Sequence, residues 1–395
     1  MISQVSTKNY KSIKELDLEL GRVTVLIGEN GCGKSNILEA VALCSAAAAD
    51  KLDHEFLSSR GIRVPDDARF MRSAFDAQDI TAEISISVDE GKSKGVGEEL
   101  KVQRKFQCIL HNEENSPYSK WSNVSTKKID RSELVITSIK QQWLKLQKRE
   151  MSDETLNQLL SEFDKQDLRD SYPQSLRGFL IYSPENSALR TFETEAQIQP
   201  LGIKGEGLFK LLTYLAADEN KDRLKEIKSE LTLLDWFDDF NLASGVSTGE
   251  RSINIKDKYL DESLSYFTQK SANEGFLFLL FYFTLFISRE TPSFFAIDNI
   301  DASLNPKLCS RLLKELASLA KKHDKQAIVT THNPSILDGL NLNDDDQRLF
   351  VVSRNKLGHT RVKRVFKPEL AEGQTPVPLS EAFLRGYLGG LPRNF

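Results

Sequence analysis

The chain has 395 residues, of which 39% are hydrophobic and 28% charged, and its net charge is −4 at neutral pH. That length allows one large domain or two to three ordinary ones, and the composition reads as a soluble globular chain. A balance so near neutrality argues against a generally basic nucleic-acid-binding surface and leaves room only for local basic patches.

The first twenty residues alternate polar and apolar, with Ile2, Val5, Leu16, Leu18 and Leu20 in phase, which predicts a hairpin feeding the next strand. Val23-Thr24-Val25-Leu26-Ile27 is a short apolar, β-branched run and predicts a buried strand. It is followed by Gly28-Glu29-Asn30-Gly31-Cys32-Gly33-Lys34-Ser35, and then by Asn36-Ile37-Leu38-Glu39-Ala40-Val41-Ala42-Leu43 with helical spacing. A strand, a glycine-rich turn ending in Lys-Ser and a helix together make a phosphate-binding loop. Glycine permits positive φ, so that successive backbone N–H groups can turn toward phosphate oxygens, and the helix dipole points at the same anion. The loop places Lys34 to reach the β- and γ-phosphates and the Ser35 hydroxyl to ligate Mg²⁺. Asn30, Gly31, Cys32, Gly33, Lys34, Ser35 and Asn36 are accordingly the candidate residues for binding a nucleoside triphosphate.

Two further strands are expected within Ile80–Val88 and Lys105–Leu110, separated by a Gly/Lys/Glu-rich loop. From about 132 to 171 the residues are long and polar with helical spacing, as at Leu156, Leu159, Leu160 and Phe163, which predicts a helical insertion too short for a long coiled-coil arm. A strand over Gly178–Tyr182 returns the chain to the core, and a second helical block is expected from Gly205 to Leu242. Phe276 to Ile287 is the most apolar segment, but it falls short of the roughly 20 residues of a membrane-spanning helix and predicts a buried core helix. The last third alternates the strands Phe294–Ile297, Ala327–Val329 and Leu349–Val352 with a helix over Lys307–His323, the pattern of a covered parallel sheet. The expected division is 1–131, a helical insertion at 132–176, and 177–395. Cys32, Cys44, Cys108 and Cys309 are scattered without metal-ligand spacing. With no leader at the N-terminus, they suggest free thiols in a reducing cytoplasm.

Asp298 ends the apolar strand Phe294–Ile297, where an aspartate can hold Mg²⁺ with its water shell, although Asp is also a common turn residue. Thr330-Thr331-His332 follows another apolar strand, so His332 stands at the carboxyl edge where open α/β sheets place ligands. It could contact a γ-phosphate and the attacking water, or simply cap a turn before Pro334.

The run Gly28 to Asn36 with Leu38-Glu39-Ala40, the run Ile297-Asp298-Asn299-Ile300-Asp301-Ala302-Ser303-Leu304-Asn305-Pro306, and Thr331-His332-Asn333-Pro334 resemble, in order, the ABC-type ATPase heads of the SMC, RecF and OLD group. Asn9-Tyr10-Lys11-Ser12-Ile13 resembles that group's opening strand. The compact length and the ending Leu379 to Gly386 look most like stand-alone bacterial ATPases, several of which serve two-gene phage-defence systems such as PARIS and Septu. The resemblance implies an α/β P-loop NTPase fold, an ABC head with a mixed sheet and a helical insertion, and a head-to-tail dimer around two nucleotides. Ser271-Ala272-Asn273-Glu274-Gly275 is the matching signature segment. Ser271 would there bind the partner's γ-phosphate, with a plain helix N-cap as the rival role, since the family's glycine pair is replaced by Ala272-Asn273. Gln197 and Gln199 lie where a switch glutamine is expected. The family places glutamate after the magnesium aspartate, but this chain has Asn299. An amide cannot take the proton of the attacking water, so hydrolysis is expected to be slow, with Asp301 or His332 as partial substitutes. The implied roles are a switch controlling a partner nuclease or toxin, a RecF-like ATPase binding DNA through residues such as Arg104, Lys105, Lys127 and Lys128, or a non-hydrolysing scaffold. A membrane partner is not expected.

Overall fold

The computed structural model describes residues 1–73, 75, 79–80, 82–91, 104–112, 120–124, 172–191, 200–244, 251–261, 263–367 and 377–390, with five isolated positions between 143 and 158. Residues 132–171 of the predicted helical insertion, Lys127, Lys128, Gln197 and Gln199 thus lie outside the described residues, a few isolated positions apart, while 172–176 are described and hold most of the helical turn Gln174–Arg177.

The first strands are β1 (Ile2–Tyr10), β2 (Ile13–Glu19) and β3 (Val23–Ile27). Next come β4 (Ile84–Glu90), β5 (Lys105–His111) and β6 (Ser122–Asn123). The opening hairpin is present, with Val5 opposite Leu18 and Thr7 opposite Leu16, and β1 also pairs antiparallel with β4. These strands form a five-stranded sheet of order β2-β1-β4-β5-β6. β7 (Ile181–Tyr182) is shorter than its apolar run, because Gly178 caps the helical turn Gln174–Arg177 and Phe179 N–H bonds back to the Leu176 carbonyl (3.1 Å).

A six-stranded sheet carries the centre of the molecule. Its order is β14-β13-β3-β12-β11-β7, where β11 is Phe294–Ile297, β12 Gln326–Thr331, β13 Gln347–Arg354 and β14 Thr360–Val365. All neighbours are parallel except β14, which returns antiparallel on β13, so the sheet is mixed. β3, from the N-terminal segment, is hydrogen-bonded between β12 and β13 from the last third.

The near-continuous apolar runs are explained by cover on both faces. Val23, Val25 and Ile27 of β3, Phe295 and Ile297 of β11, and Ala327 and Val329 of β12 enter one core. Leu26, Phe294, Ala296 and Ile328 enter the other. The first core is roofed by the helices Glu274–Ile287 and Pro306–Lys322, the second by the helix Lys34–Ala48 and the five-stranded sheet. Phe276 to Ile287 are buried at every position, which accounts for an apolar helix without a polar face. No helix among the described residues is long and apolar enough to cross a membrane.

The block Gly205–Leu242 differs from expectation. It holds two helices, Leu208–Leu215 and Lys221–Leu231, but ends in strand β8 (Phe237–Ser244). β8 pairs with β9 (Arg251–Asp257), and β9 with β10 (Phe267–Thr268). Phe237 and Phe240 are three apart, which imitates helical spacing. The register shift between Phe237 and Asp239 adds one residue to the strand and lets both rings enter the core.

Candidate functional site

The loop after β3 and the ends of β11, β12 and β13 meet at the carboxyl edge of the parallel strands. They enclose a cleft of about 220 Å³ lined by Gly31, Gly33, Lys34, Ser35, Asn36, Arg63, Asn299, His332 and Arg354.

The loop is built for close backbone approach. Gly33 has φ 106°, and a Cβ there would lie 2.0 Å from Thr360 Oγ1. The helix Lys34–Ala48 begins at Gly33 with no side-chain cap and no acidic residue in its first turn. Its first N–H groups are therefore available to an anion, and the helix dipole adds to the attraction. Lys34 Nζ lies over the loop, donating to the carbonyls of Gly28 (2.8 Å) and Glu29 (3.0 Å), and is 3.5 Å from His332 Nδ1. Burial lowers the pKa of this ammonium, the penalty that an incoming phosphate would offset. Asn36 is held from both sides, donating to Ser12 Oγ (2.6 Å) and accepting from Arg63 Nη2 (3.3 Å). Asn30 is exposed at the loop tip. Cys32 is buried with its carbonyl bonded by Thr360 Oγ1 (3.0 Å), so any contribution to a ligand comes from its backbone.

Ser35 Oγ donates to Asp298 Oδ2 at 3.0 Å. A hydroxyl paired with a single carboxylate fits Mg²⁺, which takes few protein oxygens and completes its shell with water and phosphate. Among the described residues no group of three or more His, Cys, Asp or Glu is placed to hold a metal by itself. The other Asp298 oxygen accepts from Thr330 Oγ1 (2.5 Å), and the same hydroxyl accepts from the Asn299 N–H (2.9 Å). Thr331 Oγ1 binds Asp301 at 2.6 Å. The two threonines therefore fix both carboxylates from the neighbouring strand. Asn299 adopts a left-handed backbone (φ 56°), a conformation asparagine tolerates well, and presents an amide to the cleft. His332 has its pKa lowered, first by burial and then by the Lys34 ammonium, which favours the neutral ring at pH 7.

Of the sequence candidates, Gly31, Gly33, Lys34, Ser35, Asn36, Asn299 and His332 line one cleft, Asp298 touches Ser35, and Asp301 stands behind His332, 3.4 Å from its N–H. Ser271 does not line it. It is exposed, and the helix cap belongs to Asn273, whose Oδ1 accepts from Phe276 N–H (2.8 Å). Arg63 and Arg354 line the cleft and were missed. Arg63 sits in a loop without a motif. Arg354 ends β13 on the same carboxyl edge as Asp298 and His332, a position that could have identified it.

The fold is that of an SMC head. The SMC head solved with the C-terminal winged-helix domain of ScpA superposes with a TM-score of 0.55 at 14% identity, covering 92% of this chain and 97% of that one. The OLD nuclease of Thermus scotoductus is 34% identical over 67 residues, 17% of this chain and 11% of that protein. RecF of Bacillus cytotoxicus is 26% identical over 109 residues, 27% of this chain and 28% of RecF. The chain thus spans less than a third of the length of these relatives. The family model described as "AAA domain, putative AbiEii toxin, Type IV TA system" matches residues 23–338. The chain belongs to that AAA family and is an ABC-type ATPase of the SMC, RecF and OLD group.

Proposed function

We propose that this chain is an ATP-binding switch that turns over slowly, closes head-to-tail with a second copy around ATP, and controls a partner nuclease or toxin in bacterial antiviral defence. The observation that carries the reading is Asn299, an amide where a proton acceptor is needed, beside a complete set of binding groups in Lys34, Ser35 and Asp298. Lys34 and the N–H groups of Gly31 to Asn36 hold the phosphates, and Ser35 with Asp298 holds Mg²⁺, which supplies charge neutralisation at the transferring phosphoryl. Asn299 orients a water but does not take its proton. Ser271, exposed and not among the residues lining its own cleft, serves the nucleotide of the second copy. The family's description names a toxin and a toxin–antitoxin system, which supports a two-component setting.

Sedimentation with and without ATP tests the switch. ATP should convert monomer to dimer, and Lys34→Ala should stay monomeric. A mass indifferent to ATP would refute it.

A second reading, DNA binding of the RecF kind, draws on the RecF likeness and on a basic strip. Arg348 to Lys367 contains seven Lys and Arg and no acid; Arg348 and Arg364 are paired with Glu19 at 3.1 Å, while Arg361 and Lys363 are exposed on β14. Lys105, by contrast, is paired with Asp89 at 3.4 Å. Duplex binding that weakens steeply with salt and is lost on charge reversal at Arg361 and Lys363 would favour it.

A further inference from the structure

Residues 379–390 run beside the phosphate loop without lining its cleft. They begin as the helix Leu379–Leu384, whose Phe383 is buried in the same core as Ile336 and Leu337. Those two belong to the 3₁₀ turn Pro334–Gly339, which starts two residues after His332. Ser380 ties the helix to that turn: its N–H donates to Asp338 Oδ1 (3.0 Å) and its Oγ to Asp338 Oδ2 (2.6 Å).

Beyond the helix the chain folds back. Tyr387 N–H donates to the Ala382 carbonyl (3.0 Å) and Gly389 N–H to that of Gly386 (3.1 Å). Gly386, Gly389 and Gly390 all have left-handed backbone, at φ 76°, 78° and 82°. This path brings Gly390 onto the first residue of the phosphate loop. A Cβ at Gly390 would lie 2.4 Å from Val351 Cγ1 and 3.8 Å from Gly28 Cα, whereas one at Gly389 would meet nothing within 4 Å. Gly28 is also walled by Val352, whose carbonyl oxygen would be 2.1 Å from a Cβ there. The Gly28 carbonyl accepts from the Lys34 ammonium (2.8 Å). Covering the apolar edge of the core would ask only for Phe383 and its partly buried neighbours Leu379 and Leu388. It does not ask for three residues in a conformation that side chains disfavour.

We propose that residues 379–390 form a strap that positions the phosphate loop for nucleotide, an inference that rests on nucleotide binding at the cleft. Held between Gly390 and Val352, the first peptide of the loop keeps the shape that presents Lys34 and the following N–H groups to phosphate. A loop ordered in advance loses less freedom on binding, which raises affinity. By linkage, a nucleotide that orders the loop also holds the strap down. Leu384 and Tyr387, both exposed, lie on that strap, so the loaded state of the cleft is felt at the surface.

The test compares Gly390→Ala with Gly389→Ala in the full chain, with ADP as the probe. ADP offers Lys34 its β-phosphate but lacks the γ-phosphate that a second copy is proposed to engage, so head-to-tail closure does not enter. Both alanines take a left-handed backbone, and only the one at 390 collides with Val351. Calorimetry should find ADP bound at least about 5-fold more weakly by Gly390→Ala than by Gly389→Ala, from the cost of overpacking. Hydrogen exchange at Tyr387 should slow when ADP is added to the wild type, and stay unchanged when it is added to Lys34→Ala. Equal affinities of the two alanine variants, or Tyr387 exchange indifferent to ADP in a wild type that binds it, overturn the strap and leave nucleotide binding standing. A wild type that binds neither ADP nor ATP overturns both. Should Gly390→Ala fail to fold, Asp338→Ala carries the test, since its side chain is exposed and its loss frees Ser380. ADP should then bind more weakly than to the wild type, and an unchanged affinity overturns the strap.

Discussion

The two sides of the cleft are built to different standards. On the loop side, Lys34 is buried, the first turn of its helix leaves its N–H groups uncapped, and Gly33 packs too closely against Thr360 for any side chain. On the side of β11 and β12, two carboxylates are oriented by two threonines, but the residue facing the cleft is the amide of Asn299. The first side has all that anion binding asks for, and the second has an amide where the family's glutamate is expected, with His332 and Asp301 nearby as substitutes. On the proposed reading binding can persist without fast hydrolysis: a substitution at Asn299 should leave nucleotide affinity largely intact, whereas loss of binding on the loop side removes both functions.

The largest expected effect is on the loop side. Lys34→Ala removes hydrogen bonds to charged phosphate oxygens worth roughly 1.5–3 kcal/mol each, so nucleotide affinity should fall by about 10³-fold or more if two are lost. Titration calorimetry reads this directly, and retained affinity would erase the contrast between the two sides. A smaller effect is expected from the support behind the loop. Glu39, on the helix that begins at Lys34, has a side chain only 2% exposed and pairs with Lys11 and with Arg63 Nε (2.5 Å). Glu39→Ala strands these cations, and breaking a buried pair costs roughly 3–5 kcal/mol. The value should fall at the low end of that range, because the Arg63 side chain is 68% exposed and can turn to water. Urea denaturation measures the loss. An unchanged midpoint would mean that the loop side owes nothing to this network.

Much of this contrast was legible in the chain itself. The phosphate loop could be read because glycine spacing and a following Lys-Ser leave few other uses, and Asn299 stood out only against a family in which glutamate is usual. The strands of the six-stranded sheet were visible as apolar runs, since cover on both faces removes polar alternation. What escaped were features that depend on three-dimensional register. The bulge beside Phe237 turned an apparent helical spacing into a strand. Arg63 reaches the cleft from a loop brought there by its pairing with Glu39, which no local pattern announces. Asn273 rather than Ser271 caps its helix, because the choice is set by which side chain reaches Phe276 N–H.

The central claim is most directly tested by single-turnover ATP hydrolysis in the wild type, Asn299→Glu, Asn299→Ala and Asp298→Ala, with nucleotide affinity measured alongside. A positioned base is worth roughly 10²–10⁴-fold. Glutamate in the left-handed backbone at position 299 gives back part of that, about 1–2 kcal/mol. The account predicts a slow wild type, tight binding throughout the Asn299 variants, and a rate in Asn299→Glu raised by roughly 3-fold to 10³-fold. A fast wild-type rate that Asp298→Ala abolishes and Asn299→Ala leaves untouched would contradict it.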